Sequence, residues 1–143
     1  MKRIYVNEKW CLGCHLCEYY CAFANSGESD MAVALRDVKI NPRIRIEERN
    51  GVSFAVGCRH CEEPLCVKSC ITGALSIHDG VIQVDQDKCV GCYTCIMACP
   101  YGAVMPSDDG SVIQKCELCL NNSTGSPACV KGCPNQAIVF EER

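Results

Sequence analysis

The sequence predicts an α+β fold of short β-hairpins and short helices, divided into two small units and held more by metal–thiolate bonds than by an apolar core. Three observations predict it. The 143 residues include 16 cysteines but only three Phe and one Trp, so thiols are abundant and large core side chains are scarce. The cysteines form four quartets that use all 16 of them. Between quartets lie pairs of β-rich runs split by Asn-Gly or Asp-Gly, the two-residue signal of a hairpin.

The third quartet carries the sharpest signal. Cys89, Cys92, Cys95 and Cys99, followed by Pro100, have the spacing C-x2-C-x2-C-x3-C-P. This is the bacterial-ferredoxin run, in which three thiolates hold one [4Fe-4S] cluster and the fourth reaches another. A cubane offers four iron corners, and a tight loop can wrap three of them. The fourth Cys, a helical turn further on, points the wrong way for the same cube. Pro100 ends the local turn and donates no backbone hydrogen bond. The first quartet, Cys11, Cys14, Cys17 and Cys21, repeats the spacing. The second, Cys58, Cys61, Cys66 and Cys70, widens one gap to x4. The fourth, Cys116, Cys119, Cys129 and Cys133, holds a nine-residue insertion before its x3 step.

The elements follow in order. Ile4 to Val6 reads as a strand without a local partner, and Ala137 to Phe140 as another; the two are expected to pair and to close the first and fourth quartets into one half. Each x3 step is expected to lie in a short helix, because its two ligands need adjacent faces of one turn. Ser29 caps an expected helix over Asp30 to Arg36, an insertion that serves as a lid over a cluster or as a partner contact. Pro42 releases the chain into a hairpin over Ile44–Ile46 and Val52–Val56, turning at Asn50-Gly51. A second hairpin pairs Ala74–Ile77 with Val81–Asp85 across Asp79-Gly80, and a third pairs Ala103–Met105 with Val112–Gln114 across Asp109-Gly110. Residues 121 to 128 have the composition of a polar loop.

Composition excludes several functions. That much cysteine belongs to disulfide scaffolds, zinc proteins or iron–sulfur proteins. The first eight residues hold no apolar signal segment or cleavage site, and no apolar run approaches the ~18 residues of a membrane span. The thiols are therefore expected in a reducing cytoplasm, as metal ligands. The formal charge of −3 would fall to about −11 with four oxidised clusters at roughly −2 each, which disfavours nucleic acid and favours basic docking faces on redox proteins. There is no Ser–His–Asp candidate, no GxGxxG and no Walker run, so no catalytic site is expected. The competing chemistry is a structural zinc scaffold that only bridges proteins. Zinc favours paired C-x2-C knuckles separated by a spacer, and the fourth quartet alone comes near that pattern.

Four quartets in this order resemble the four-cluster ferredoxin subunits of molybdopterin oxidoreductases and hydrogenases, over nearly the whole chain. Within that family, three stretches look most similar to the ferredoxin that accompanies carbon monoxide dehydrogenase. They are Trp10 to Glu18, Cys58 to Cys66 and Pro134 to Phe140. The resemblance implies two pseudo-symmetric, dicluster ferredoxin-like units: residues 1–43 with 106–143 as the outer, and 44–105 as the inner. It also implies crossed ligation, with which the fourth-cysteine rule agrees. One cluster would take Cys11, Cys14, Cys17 and Cys133, and its neighbour Cys116, Cys119, Cys129 and Cys21. In the inner unit one would take Cys58, Cys61, Cys66 and Cys99, and the other Cys89, Cys92, Cys95 and Cys70. The implied function is electron transfer along four [4Fe-4S] clusters from carbon monoxide dehydrogenase to a hydrogenase, a flavin-dependent NAD(P) oxidoreductase or a ferredoxin. A tungsten aldehyde oxidoreductase or a formate dehydrogenase is the alternative source.

Other residues are weighed against this frame. His15, His60 and His78 are read as surface or supporting residues, since sixteen thiolates already complete four sites. Lys9, Lys88 and Lys115 each lie just before a quartet, where they would offset cluster charge; a solvated lysine is the commoner fate. Trp10, Tyr19, Tyr20 and Tyr93 are expected to wall the clusters from water. Gly13 and Gly91 are read as permitting the ligand loops their backbone path.

Overall fold

The computed structural model describes residues 2–26, 30, 32, 41–119 and 126–142. The expected helix beginning at Ser29, apart from Asp30 and Ala32, and most of the polar loop within the fourth quartet lie outside the described residues. Two compact units divide the chain, Met1–Val56 with Leu118–Arg143 as the outer and Gly57–Glu117 as the inner.

In the outer unit, β1 (Arg3–Val6) pairs antiparallel with β8 (Ile138–Glu141), setting Ile4 opposite Phe140 and Val6 opposite Ile138. The two ends of the chain thus meet in one ribbon. Helix α1 (Leu16–Ala24) carries Cys17 and Cys21 on its buried face, and it packs on α4 (Ala128–Gly132), which buries Cys129. A Cβ on Gly132 would lie 2.5 Å from a Tyr20 ring carbon, so only glycine lets the two helices approach this closely. The hairpin of β2 (Arg45–Arg49) and β3 (Val52–Val56) completes the unit. Sequence alone put this hairpin with the inner segments. It packs instead on α1, whose Glu18 Oε1 accepts the Ile46 N–H at 2.6 Å.

The inner unit alternates helix and hairpin. Helix α2 (Leu65–Ser69) precedes the β4 (Leu75–His78) and β5 (Val81–Val84) pair, and α3 (Thr94–Ala98) precedes the β6 (Val104–Pro106) and β7 (Ile113–Lys115) pair. The turns Asn50-Gly51 and Asp79-Gly80 have positive φ at both residues, which matches the right-handed twist of two-residue hairpins. At Asp109-Gly110 only the glycine has positive φ. The turn there is longer, closed by the Ser107 N–H on the Val112 carbonyl at 2.9 Å.

All four x3 steps fall on helices, with the second cysteine inside α1 and at the C-terminal cap of α2, α3 and α4. Five-residue helices do not persist alone in water. Thiols make up a substantial part of the cores they pack in: three of the six buried residues in the outer core are Cys17, Cys21 and Cys129, and two of six in the inner core are Cys66 and Cys95.

Candidate iron–sulfur centres

The outer unit contains an open cavity of about 310 Å3, mouth included, lined by Cys11, Cys14, Cys17 and Cys133. Three of these come from one loop running into α1, and the fourth returns from the far end of α4. Ile46, Ala137 and Ile138 give the cavity apolar wall. The loop enters α1 through left-handed residues, Gly13 at φ 67 and His15 at φ 64. A Cβ at Gly13 would meet Ser53 Oγ at 2.8 Å, so the loop lies hard against the β2–β3 hairpin. The Ala137 N–H donates to Cys133 Sγ at 3.3 Å. Burial pushes the Cys17 thiol up to about 12, helped by the Glu18 carboxylate and by Cys14 and Cys11. Four thiols lining one cavity suit a metal centre, because the thiolate is the metal-binding form and a bound cation would offset the cost of ionising them.

Each of the other three fourth-position cysteines also has a thiol of another quartet close by. Burial raises the Cys21 thiol, the Arg43 N–H at 3.2 Å from its sulfur opposes the rise, and the Cys119 thiolate adds to it. Cys21 therefore faces the fourth quartet. Burial also raises Cys66; Lys115 opposes the rise, and the thiolates of Cys58 and Cys99 add to it. Cys99 thus lies with the second quartet, its sulfur accepting the Ala103 N–H at 3.5 Å. Cys95 is pushed up to about 11 by burial, with Cys70 and Cys89 adding to the rise. At Cys70 itself burial works against ionisation. The N–H groups of Leu75, Thr72 and Ala74 and the Thr72 hydroxyl outweigh it and hold the thiol at about 7. Cys92 is lowered by the Thr94 N–H and hydroxyl, against the Cys70 thiolate. Cys61 and Cys116 are half-buried, and Cys116 lies just before the division between the units. Among the described residues no three His, Cys, Asp or Glu side chains converge on a single-ion site; in the outer unit the four thiols line a cavity instead.

A polar arrangement braces the second quartet. Among the described residues the outer edge of β5 has no strand neighbour, and side chains fill its hydrogen bonds. His60 Nδ1 accepts the Ile82 N–H at 3.1 Å, Glu117 Oε1 accepts the Val84 N–H at 2.9 Å, and Lys115 Nζ donates to the Ile82 carbonyl at 2.8 Å. Lys115 also donates to the Cys116 carbonyl at 2.6 Å. Buried backbone groups require such partners, and here they tie the Cys58–Cys61 loop to the strand.

This corrects one expectation and narrows another. Lys115 is not solvated, and of the surface or supporting roles expected for His60 the structure shows a supporting one, each residue being 1% exposed. Lys9 and Lys88 are exposed as expected, with Lys88 beside Asp85. His15 pairs with Glu18 at 2.9 Å and His78 with Ser76 at 3.0 Å, both at the surface or part-buried. The aromatic walls are thinner than expected: Trp10 is 53% exposed, and Tyr19 and Tyr20 are also exposed. Tyr93 packs on the inner core that holds Cys66 and Cys95, and it donates its hydroxyl proton to the Gly110 carbonyl, pinning the third ligand loop to the β6–β7 turn.

Residues 50–143 match the 4Fe-4S dicluster domain family, and residues 8–24 match a 4Fe-4S binding domain. The chain belongs to the 4Fe-4S dicluster family. An iron-sulfur protein of Rhodospirillum rubrum is 38% identical over 94% of this chain and 79% of its own length. The electron transport protein HydN of Escherichia coli (strain K12) is 35% identical over 93% of this chain and 83% of its own. AegA of the same strain is 40% identical over 94% of this chain, but the match spans only 21% of AegA. The active site complex BamBC of benzoyl coenzyme A reductase shares the fold, with a TM-score of 0.53 and 21% identity over all of this chain and 80% of that one. This member of the family is an iron–sulfur electron-transfer protein. Among its described residues no helix is long and apolar enough to cross a membrane.

Proposed function

We propose that this protein carries electrons along four [4Fe-4S] clusters, two in each of two pseudo-symmetric units, and has no catalytic site of its own. The observation that supports the reading most is the cavity in which Cys133 joins Cys11, Cys14 and Cys17. The proximity of Cys99 to Cys66, of Cys70 to Cys95 and of Cys119 to Cys21 supports the same crossing at the other three sites. The clusters supply one-electron chemistry. The protein contributes the thiolates, the N–H groups on their sulfurs and the exclusion of water.

The electron source we favour is a carbon monoxide dehydrogenase, with a hydrogenase, a flavin-dependent NAD(P) oxidoreductase or a ferredoxin as acceptor, in the cytoplasm. The support is the likeness of the segments Trp10–Glu18, Cys58–Cys66 and Pro134–Phe140 to that ferredoxin type. Iron and sulfide analysis tests the cluster reading: a colourless protein with four zinc ions overturns it. EPR of Cys133→Ser and Cys99→Ser tests the crossing. Cys133→Ser is expected to alter the cluster of Cys11, Cys14 and Cys17; an altered cluster on Cys116, Cys119 and Cys129 refutes the assignment. For the partner, reduction by carbon monoxide through its dehydrogenase should outpace reduction by formate or an aldehyde through theirs, and the reverse order overturns the choice.

A further inference from the structure

The buried polar side chains among the described residues are His60 and Lys115, and both lie at the second quartet. Lys115 is the charged one. Its ammonium bonds two neutral carbonyls, those of Ile82 and Cys116. A buried charge is costly unless an opposite charge compensates it, and two carbonyls supply dipoles but no net charge. Ile82, whose carbonyl takes the ammonium, gives its N–H to His60 in the Cys58–Cys61 loop and packs in the same core as Cys66, so the ammonium lies beside the second quartet, where it opposes the rise of the Cys66 thiol. The third quartet differs. The influences on Cys70, Cys92 and Cys95 are burial, N–H and hydroxyl donors, and other thiolates. The lysine beside that quartet, Lys88, has a side chain 62% exposed and an acidic neighbour in Asp85, so water screens it.

We propose that Lys115 is a fixed counter-charge that stabilises the reduced state of the cluster held by Cys58, Cys61, Cys66 and Cys99, so that an electron entering the inner unit rests there rather than on the cluster of Cys89, Cys92, Cys95 and Cys70. The inference rests on the four-cluster reading above. Reduction adds one electron to the cluster, taken from the upstream redox partner, and makes or breaks no bond to the protein. The added negative charge is attracted by the ammonium, and in a dry interior that attraction is poorly screened. Net charge and nearby hydrogen bonds are among the levers that set cluster potentials. Both inner clusters have four thiolate ligands and N–H donors nearby, but a buried positive charge lies beside only one of them among the described residues. That charge favours one direction for the electron.

The test is an anaerobic dithionite titration of the holoprotein followed by EPR, on the wild type, Lys115→Gln, Lys115→Arg and Lys88→Gln. The Cys99→Ser spectrum identifies the second-quartet signal. In Lys115→Gln that midpoint is expected to fall by about 59 mV, a tenfold shift toward the oxidised form for a one-electron couple, and to be the largest shift of the four. Lys115→Arg keeps the charge and should stay within about threefold of wild type, as should Lys88→Gln. If Lys115→Gln leaves every midpoint within threefold, or if Lys115→Arg falls as far as Lys115→Gln, the proposal is overturned. If Lys115→Gln does not assemble its clusters, the arginine variant decides. A wild-type midpoint supports the counter-charge, and a lowered one refutes it. Failure of both to assemble makes Lys115 a folding element and also refutes it. Iron and sulfide content of the wild type reports separately on the four-cluster reading.

Discussion

The third ligand loop is the place where a single methyl group should do most damage. Gly91 sits at φ 73, and a Cβ there would lie 2.5 Å from the Ser111 carbonyl oxygen and 3.3 Å from its carbon. Both are backbone atoms, so no side chain can swing away. Gly73, in the same unit, has φ 70 but nothing within 4 Å of its Cβ position. The pair separates two costs. The left-handed conformation costs an L-residue about 1–2 kcal/mol, and this applies to Gly73→Ala and Gly91→Ala alike. Overpacking adds about 1–3 kcal/mol, and only Gly91→Ala incurs it. In a unit of this size 1 kcal/mol moves the midpoint by about 4–8 °C. Gly91→Ala should therefore melt at least about 4 °C below Gly73→Ala. The assay is loss of visible cluster absorbance on heating at one fixed scan rate, because unfolding with cluster loss is irreversible. Equal midpoints for the two variants would refute the argument that the loop is pinned by its approach to Ser111.

Two further outcomes follow from the same geometry. Removing the clusters with an oxidant and chelator should collapse far-UV helical signal and amide protection together, since half of the outer core's buried residues are cysteines and metal binding is folding energy in such sites; a folded apo-protein would contradict this. Glu18→Ala leaves the Ile46 N–H without its carboxylate and should cost about 1–3 kcal/mol, read as an earlier bleaching midpoint, whereas Glu18→Gln keeps an acceptor there and should stay near wild type.

Most of the fold was legible because its signals are local. Hairpins announced themselves by two-residue turns, and the x3 spacing puts two thiols on one helical face whatever surrounds them. Contacts made over long stretches of chain were not legible. Sequence gave no sign that Glu18 would reach Ile46, 28 residues away, and so the first hairpin was assigned to the wrong neighbours. The aromatic residues near the ligands were expected to cover the clusters, yet Trp10 is 53% exposed, whereas Tyr93 packs on the inner core and also bonds the Gly110 carbonyl.

Lys88 and Lys115 show where the limit lies, and how it is passed. Each immediately precedes the first cysteine of a quartet, and composition cannot tell them apart. Lys88 closes a turn, with its N–H on the Asp85 carbonyl at 3.1 Å, and its side chain leaves for water. Lys115 ends a strand. Strand alternation puts it on the same face as Ile113, two residues earlier, and Ile113 is 2% exposed. That face of β7 packs against β5, whose free edge offers the Ile82 carbonyl. A lysine at the inward position of a strand, one residue before a metal ligand, is therefore a readable signal. It points to a buried cation beside a cluster, and it needs only the strand, not the tertiary fold, to be recognised.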